Sequence, residues 1–234
     1  VVAASATGHC TGDTLHLAAN DGVLFSWKGP AGFSSSDQNP FIPIAALSNN
    51  GTYYVTATSD KGCASLDSTV AALFARPVVN AGSDAEICEG SSMQMNISTG
   101  NNITLYQWSP PQGLSNTMIP DPVAFPDEST LYTLVVANND CKVSDSILIT
   151  VNENPVANAG PDKVIIKGQS VTLNGSAGGT DVTYLWTPDI NITGTSSLSP
   201  VAAPASDQVY ALNVFSNKGC KTAVDSVFVK VYQQ

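Results

Sequence analysis

The chain says nearly the same thing three times. Phe25-Ser26-Trp27, Tyr106-Gln107-Trp108 and Tyr184-Leu185-Trp186 each place a tryptophan at the end of a short apolar run. A proline-containing loop follows each, then a tyrosine on an alternating segment: Tyr53, Tyr132 and Tyr210. Nine or ten residues beyond each tyrosine stands a cysteine, at Cys63, Cys141 and Cys220. The period is 78 residues, from Cys10 to Cys88 and again from Cys63 to Cys141, and three periods equal the 234 residues of the chain. A fixed period of this size indicates an array of supersecondary units rather than one large core. Three modules are expected, over 1–76, 77–154 and 155–234. They suggest either a segment of a longer array or a mature three-module subunit.

Within each module the apolar residues alternate. Tyr53, Val55 and Ala57 share one face, as do Tyr132, Leu134 and Val136, and Leu15 and Leu17 oppose His16. A period of two predicts half-buried strands. Asn20-Asp21-Gly22, Ser59-Asp60-Lys61-Gly62 and Asn138-Asn139-Asp140 read as the turns between them. Several short strands at regular spacing, with no helical pattern, predict an all-β chain of three tandem Ig-like antiparallel β-sandwiches. An opening strand is expected over Val1 to Ala4. The joints at Arg76-Pro77 and Glu153-Asn154-Pro155 are short, and proline restricts both itself and its predecessor, so a semi-rigid rod is expected. With strands of about ten residues at ~3.3 Å each, it would span on the order of 100 Å.

The formal charge is −10, with Arg76 the sole arginine, so nothing supplies the clustered cations that nucleic acid or an anionic membrane surface would need. No apolar run approaches the ~18 residues of a membrane span. Partners are therefore expected to be neighbouring repeats, copies of the chain in a fibre, or surface glycans. Five cysteines at matched spacings point to an oxidising compartment. Repeat symmetry selects Cys10 with Cys63 and Cys88 with Cys141, each 53 residues apart, one bridge per module and roughly 3–4 kcal/mol each. Their flanking of turns leaves the required approach of Cα atoms open. Ile166 stands where the third module's first cysteine would be, which leaves Cys220 as the unpaired thiol.

The pattern NAGSDAEICEGSSMQM (80–95), YQWSPPQGLSNTMIPDPVA (106–124), STLYTLVVANNDC (129–141) and DSILITV (145–151) resembles the Ig-like, PKD-like repeats of giant surface proteins of Bacteroidetes. These include gliding-motility adhesins exported by the type IX system. FSWKGPAGFSSSDQNP (25–40) with NGTYYVTATSDKGC (50–63) resembles a sister variant. The resemblance covers the whole chain and implies a bacterial cell-surface location, in modules that serve as stalks, spacers or adhesin bodies. The Trp-Asp-Phe-Gly-Asp-Gly signature of PKD domains is absent, so the PKD likeness is one of architecture. Asp67-Ser68-Thr69, Asp145-Ser146-Ile147, Asp225-Ser226-Val227 and Asp13-Thr14-Leu15 resemble the O-glycosylation signal of such exported proteins. Thr14, Ser68, Ser146 and Ser226 are its candidate acceptors.

Trp27, Trp108 and Trp186 could be sugar-stacking platforms, but their recurrence on the same strand predicts core packing, with Tyr53, Tyr132 and Tyr210 beside them. Asp84, Glu86, Asp162, Asp181 and Asp189 lie near module ends, where Ca²⁺ could stiffen a joint, although no dense Asp series of the calcium-loop kind occurs. Otherwise no cofactor or metal is expected. His9 and His16 are the only histidines. With no nucleophile elbow, zinc-helix motif or phosphate loop, no catalytic residue is assigned. The expected role is a non-catalytic extracellular stalk or filament segment; the alternative is a carbohydrate-binding accessory region of a polysaccharide-degrading enzyme. Asn39-Pro40-Phe41-Ile42-Pro43-Ile44 is the most apolar candidate contact loop.

Overall fold

The computed structural model describes residues 4–8, 10–100 and 102–233, with side chains from residue 6 onward. The first three positions of the expected opening strand, and His9, fall outside the described residues. Each third of the chain forms one four-stranded sheet whose centre is the tyrosine strand: Gly51–Thr58, Thr130–Asn138 and Gln208–Ser216. On one side it pairs antiparallel with the tryptophan strand, Leu24–Lys28, Leu105–Ser109 or Val182–Thr187. On the other it pairs with the closing strand, Ala64–Ala71, Cys141–Asn152 or Ala223–Tyr232. Two- and three-stranded sheets cover the opposite face, for example Ala4–Thr7, Leu15–Ala19 and Phe41–Ile42 in the first module. Helical structure among the described residues amounts to two 3₁₀ turns, Pro30–Gly32 and Leu47–Asn49.

The sandwich is not wholly antiparallel. Ala85–Cys88 and Lys163–Ile166 run parallel to the closing strands of their modules, and Cys10 makes the corresponding single bridge to Phe74. Cys10, Cys88 and Ile166 consequently sit opposite Phe74, Asn152 and Tyr232, at the end where each module's chain departs. Cys63, Cys141 and Cys220 lie at or just before the start of the closing strands, at the other end.

Alternation decides what is buried. Tyr53, Val55 and Ala57 point inward, and so do Tyr132, Leu134 and Val136, and Tyr210, Leu212 and Val214. Each row packs on its module's indole; Trp27, Trp108 and Trp186 are at most 2% exposed. The buried apolar residues form three clusters, each drawn from one third of the sequence. The surface agrees. A compact 24.2 kDa monomer would expose about 10,000 Å² and three separate modules about 13,400 Å², whereas this chain exposes 12714 Å². The modules thus lie in sequence with only small areas covered between them.

Candidate functional site: the joints between modules

The disulfides join modules rather than closing them. Cys10 is bonded to Cys141 and Cys88 to Cys220, each pair with Cα atoms 5.6 Å apart, and Cys63 is the free, exposed thiol. This corrects the expected pairs Cys10–Cys63 and Cys88–Cys141, and the expected unpaired Cys220. The reason is the parallel pairing just described. Cys63 precedes the closing strand of its module, while Cys10 lies beside Phe74 at its far end. Eleven residues of extended chain, roughly 35 Å, separate them, far beyond disulfide reach. Across the joint, however, the departing end of one module meets the tyrosine hairpin of the next. The Cys141 sulfur lies 3.6 Å from the Phe74 carbonyl oxygen, and that of Cys220 lies 4.0 Å from the Asn152 carbonyl oxygen.

Local contacts fix each joint around its bridge. In the first, Arg76 donates from Nε to the Thr11 carbonyl (2.9 Å) and pairs with Asp13, tying the linker to the module it leaves. In the second, Asn154 donates from Nδ2 to the Glu89 carbonyl (3.0 Å). Glu153 and Thr180 exchange two bonds with the incoming module, Glu153 N–H to Thr180 Oγ1 (2.9 Å) and Thr180 N–H to the Glu153 carbonyl (3.3 Å). Pro77 and Pro155, which follow these anchors, are both buried. Gly179 is required here: its φ is +112°, and a Cβ on it would lie 2.9 Å from the Asn154 carbonyl oxygen and the Pro155 Cα.

A charge pair completes the second joint. Lys218, in the hairpin of the third module, lies 3.1 Å from the Glu86 carboxylate of the second. The Asn152 amide, donating to Glu86 at 3.0 Å, and then Lys218 hold that carboxyl below its usual range. Both side chains are substantially exposed, so the pair orients the joint more than it stabilises it.

The remaining candidate residues serve the modules individually. Trp108 and Trp186 donate from Nε1 to the carbonyls of Ile119 (3.2 Å) and Ser197 (3.0 Å), whereas Trp27 Nε1 is buried with no acceptor among the described residues. Tyr53, Tyr132 and Tyr210 donate to the carbonyls of Asn49, Gln112 and Ile190 at 2.7–2.9 Å, and burial raises the pKa of each phenol. With the indoles enclosed, no sugar-stacking row can be built from them. Phe41 and Ile44 of the apolar loop are 60% and 77% exposed, but Pro40 is buried and Ile42 packs on the core.

The acidic candidates are occupied one at a time. Asp84 and Asp162 accept the backbone N–H of Leu148 and Phe228 within their own modules, and Asp181 accepts the Asn217 amide. Asp189 is exposed. Among the described residues no three His, Cys, Asp or Glu side chains cluster closely enough to hold a metal ion. In the Asp-Ser triplets, Asp145 and Asp225 accept the buried N–H of Ala81 and Ala159, both at 2.8 Å. Ser68 and Ser226 are exposed, while Thr14 donates to the Pro43 carbonyl and Ser146 shares a hydrogen bond with Thr133. A cleft of about 470 Å³ is lined by Pro110 and Pro126, Gln112, Gly113, Thr130 and the carboxylate residues Asp127 and Glu128.

No family model matches the chain. It is 30% identical over 197 residues to the dyslexia-associated protein KIAA0319 homologs of Rattus norvegicus and of Mus musculus, covering 70% of this chain. The chain spans 18% of the length of those curated relatives. Among solved structures it is similar to a three-Ig fragment of the titin I-band, with TM-score 0.55 and 14% identity, over 98% of this chain and 96% of that one. A glutamate-to-alanine variant of that fragment gives TM-score 0.56 at the same identity and coverage. The fold is that of tandem Ig-like domains.

Proposed function

We propose that the chain is a non-catalytic extracellular stalk: three Ig-like modules, over 1–76, 77–154 and 155–234, held end to end so that something carried at one end stands away from the other. The observation that carries this reading is the placement of both disulfides across joints. Each module already has its own core, so the bridges are spent on the relative position of modules. Such bonds persist in an oxidising compartment, which supports an extracellular location. The sequence resemblance to Bacteroidetes surface repeats favours a bacterial cell surface and an adhesin or filament setting. The charge of −10 suits a solvated spacer better than a ligand-gathering surface.

Small-angle scattering and electron microscopy of the oxidised chain test the reading. Rods with a single maximum dimension on the order of 100 Å are expected. A folded-back particle, or a distribution of joint angles as wide as that of the reduced chain, would refute it.

A further inference from the structure

Two joints built the same way leave one half-joint unused. The hairpin that enters the second joint is Ser216-Asn217-Lys218-Gly219-Cys220, contributing the Lys218 charge and the Cys220 half of the disulfide. The first module carries Ser59-Asp60-Lys61-Gly62-Cys63 at the equivalent place. Strand register makes the equivalence strict: Trp27 pairs with Val55 as Trp186 pairs with Leu212, which sets Ser59 on Ser216, Lys61 on Lys218 and Cys63 on Cys220. The turns agree as well, with φ of +79° at Gly62 and +76° at Gly219. Asp60 through Cys63 are exposed, and Val23 and Leu24 beside them are 60% and 67% exposed. The corresponding Val182 packs on its module's core.

We propose that this hairpin is the docking site for a further Ig-like module that presents an acid-x-cysteine strand end of the kind Glu86-Ile87-Cys88. Lys61 pairs with the acid and Cys63 forms the disulfide. The two thiols lose two protons and two electrons to an oxidant of the disulfide or quinone class as the S–S bond forms. Another copy of this chain is not the partner, because its corresponding end reads Val164-Ile165-Ile166 and its Cys10 and Cys88 are already bonded. The hairpin of the second module is instructive by contrast. Asn138-Asn139-Asp140-Cys141 lacks the lysine, and the strand end it meets has Gly8 where Glu86 stands in the next joint, so lysine and acid occur together or not at all.

The inference rests on the stalk reading, and the two fail separately. Installing the missing half on the full chain tests it. Val164 and Ile166 are 63% and 39% exposed, so V164E/I166C is a surface change. In a glutathione redox buffer at about 100 μM, the double variant should form a ladder in steps of 24.2 kDa. Peptide mapping should find Cys63 joined to position 166 at least tenfold more often than to a second Cys63. Adding Lys61→Glu should cut the ladder several-fold, and Lys61→Glu with Val164→Lys should restore it. A ladder of Cys63–Cys63 bridges, insensitivity to the charge swap, or persistent monomer with Cys63 still alkylated by maleimide would overturn the proposal. The Cys10–Cys141 and Cys88–Cys220 peptides in the same digest report independently on the stalk.

Discussion

Cys141 begins the closing strand of the second module, yet its sulfur is bonded to Cys10 of the first, beside the carbonyl of Phe74. The same displacement recurs between Cys88 and Cys220, so covalent continuity between neighbours exists twice at every joint, once through the linker and once through sulfur. Peptide mapping under non-reducing conditions should recover these two pairs with Cys63 alkylated. Reduction should leave the far-UV circular dichroism spectrum intact, because each core is self-contained, while scattering shows a broadened range of end-to-end distances. Loss of β-structure on reduction would mean that the modules depend on their bridges.

The two indoles that donate and the one that does not should respond differently to loss of the N–H. Trp186→Phe removes volume and a hydrogen bond to Ser197; Trp27→Phe removes similar volume and a buried donor without an acceptor. The first should be costlier by about 1 kcal/mol. Calorimetry reads this as an extra fall of about 4–8 °C in the affected module's transition. Equal falls would show that the Trp27 N–H is satisfied.

Alkaline pH should weaken the modules through their tyrosines. Burial raises the pKa of Tyr53, Tyr132 and Tyr210 in the folded state, so their contribution is complete below the unfolded value near 10 and disappears as pH rises through the folded one. Absorbance at 295 nm should therefore show the three enclosed phenols ionising only together with unfolding. Ionisation of Tyr53, Tyr132 and Tyr210 while the β-structure is still intact would contradict the burial.

Asp145→Ala should destabilise the second module by about 1–3 kcal/mol, because the N–H of Ala81, fully enclosed, loses its acceptor. Ser146→Ala removes only a shared hydroxyl contact with Thr133 and should cost about 1 kcal/mol or less. Urea unfolding followed by Trp108 fluorescence separates the two. A reversed order would move the importance of the triplet from its aspartate to its serine.

The fold was legible because its signals are local. Alternation at Tyr132, Leu134 and Val136 names an inward face whatever the partners are, and a recurring tryptophan needs a recurring pocket. The joints were not legible, because cysteine spacing is ambiguous in a repeat: a 78-residue period accommodates a partner 53 residues away in the same module, or 131 residues away in the next, with equal symmetry. What separates these is whether Cys10 and Cys88 lie at the same end of a module as its hairpin. That depends on a strand running parallel to the closing strand, a non-local pairing with no signature of its own. The Lys218–Glu86 contact, 132 residues apart in sequence, was hidden for the same reason.

The paired crossings also set how far the molecule can be drawn out. Were every module pulled apart, tension would travel from the first residue to Cys10, cross to Cys141, run back to Cys88, cross to Cys220 and leave by the last strand. That route is about 80 residues, or roughly 280 Å taut, against about 800 Å for the open chain. Most of the polypeptide would hang in slack loops, and a tether built this way would yield until it reached about a third of its contour length and then hold.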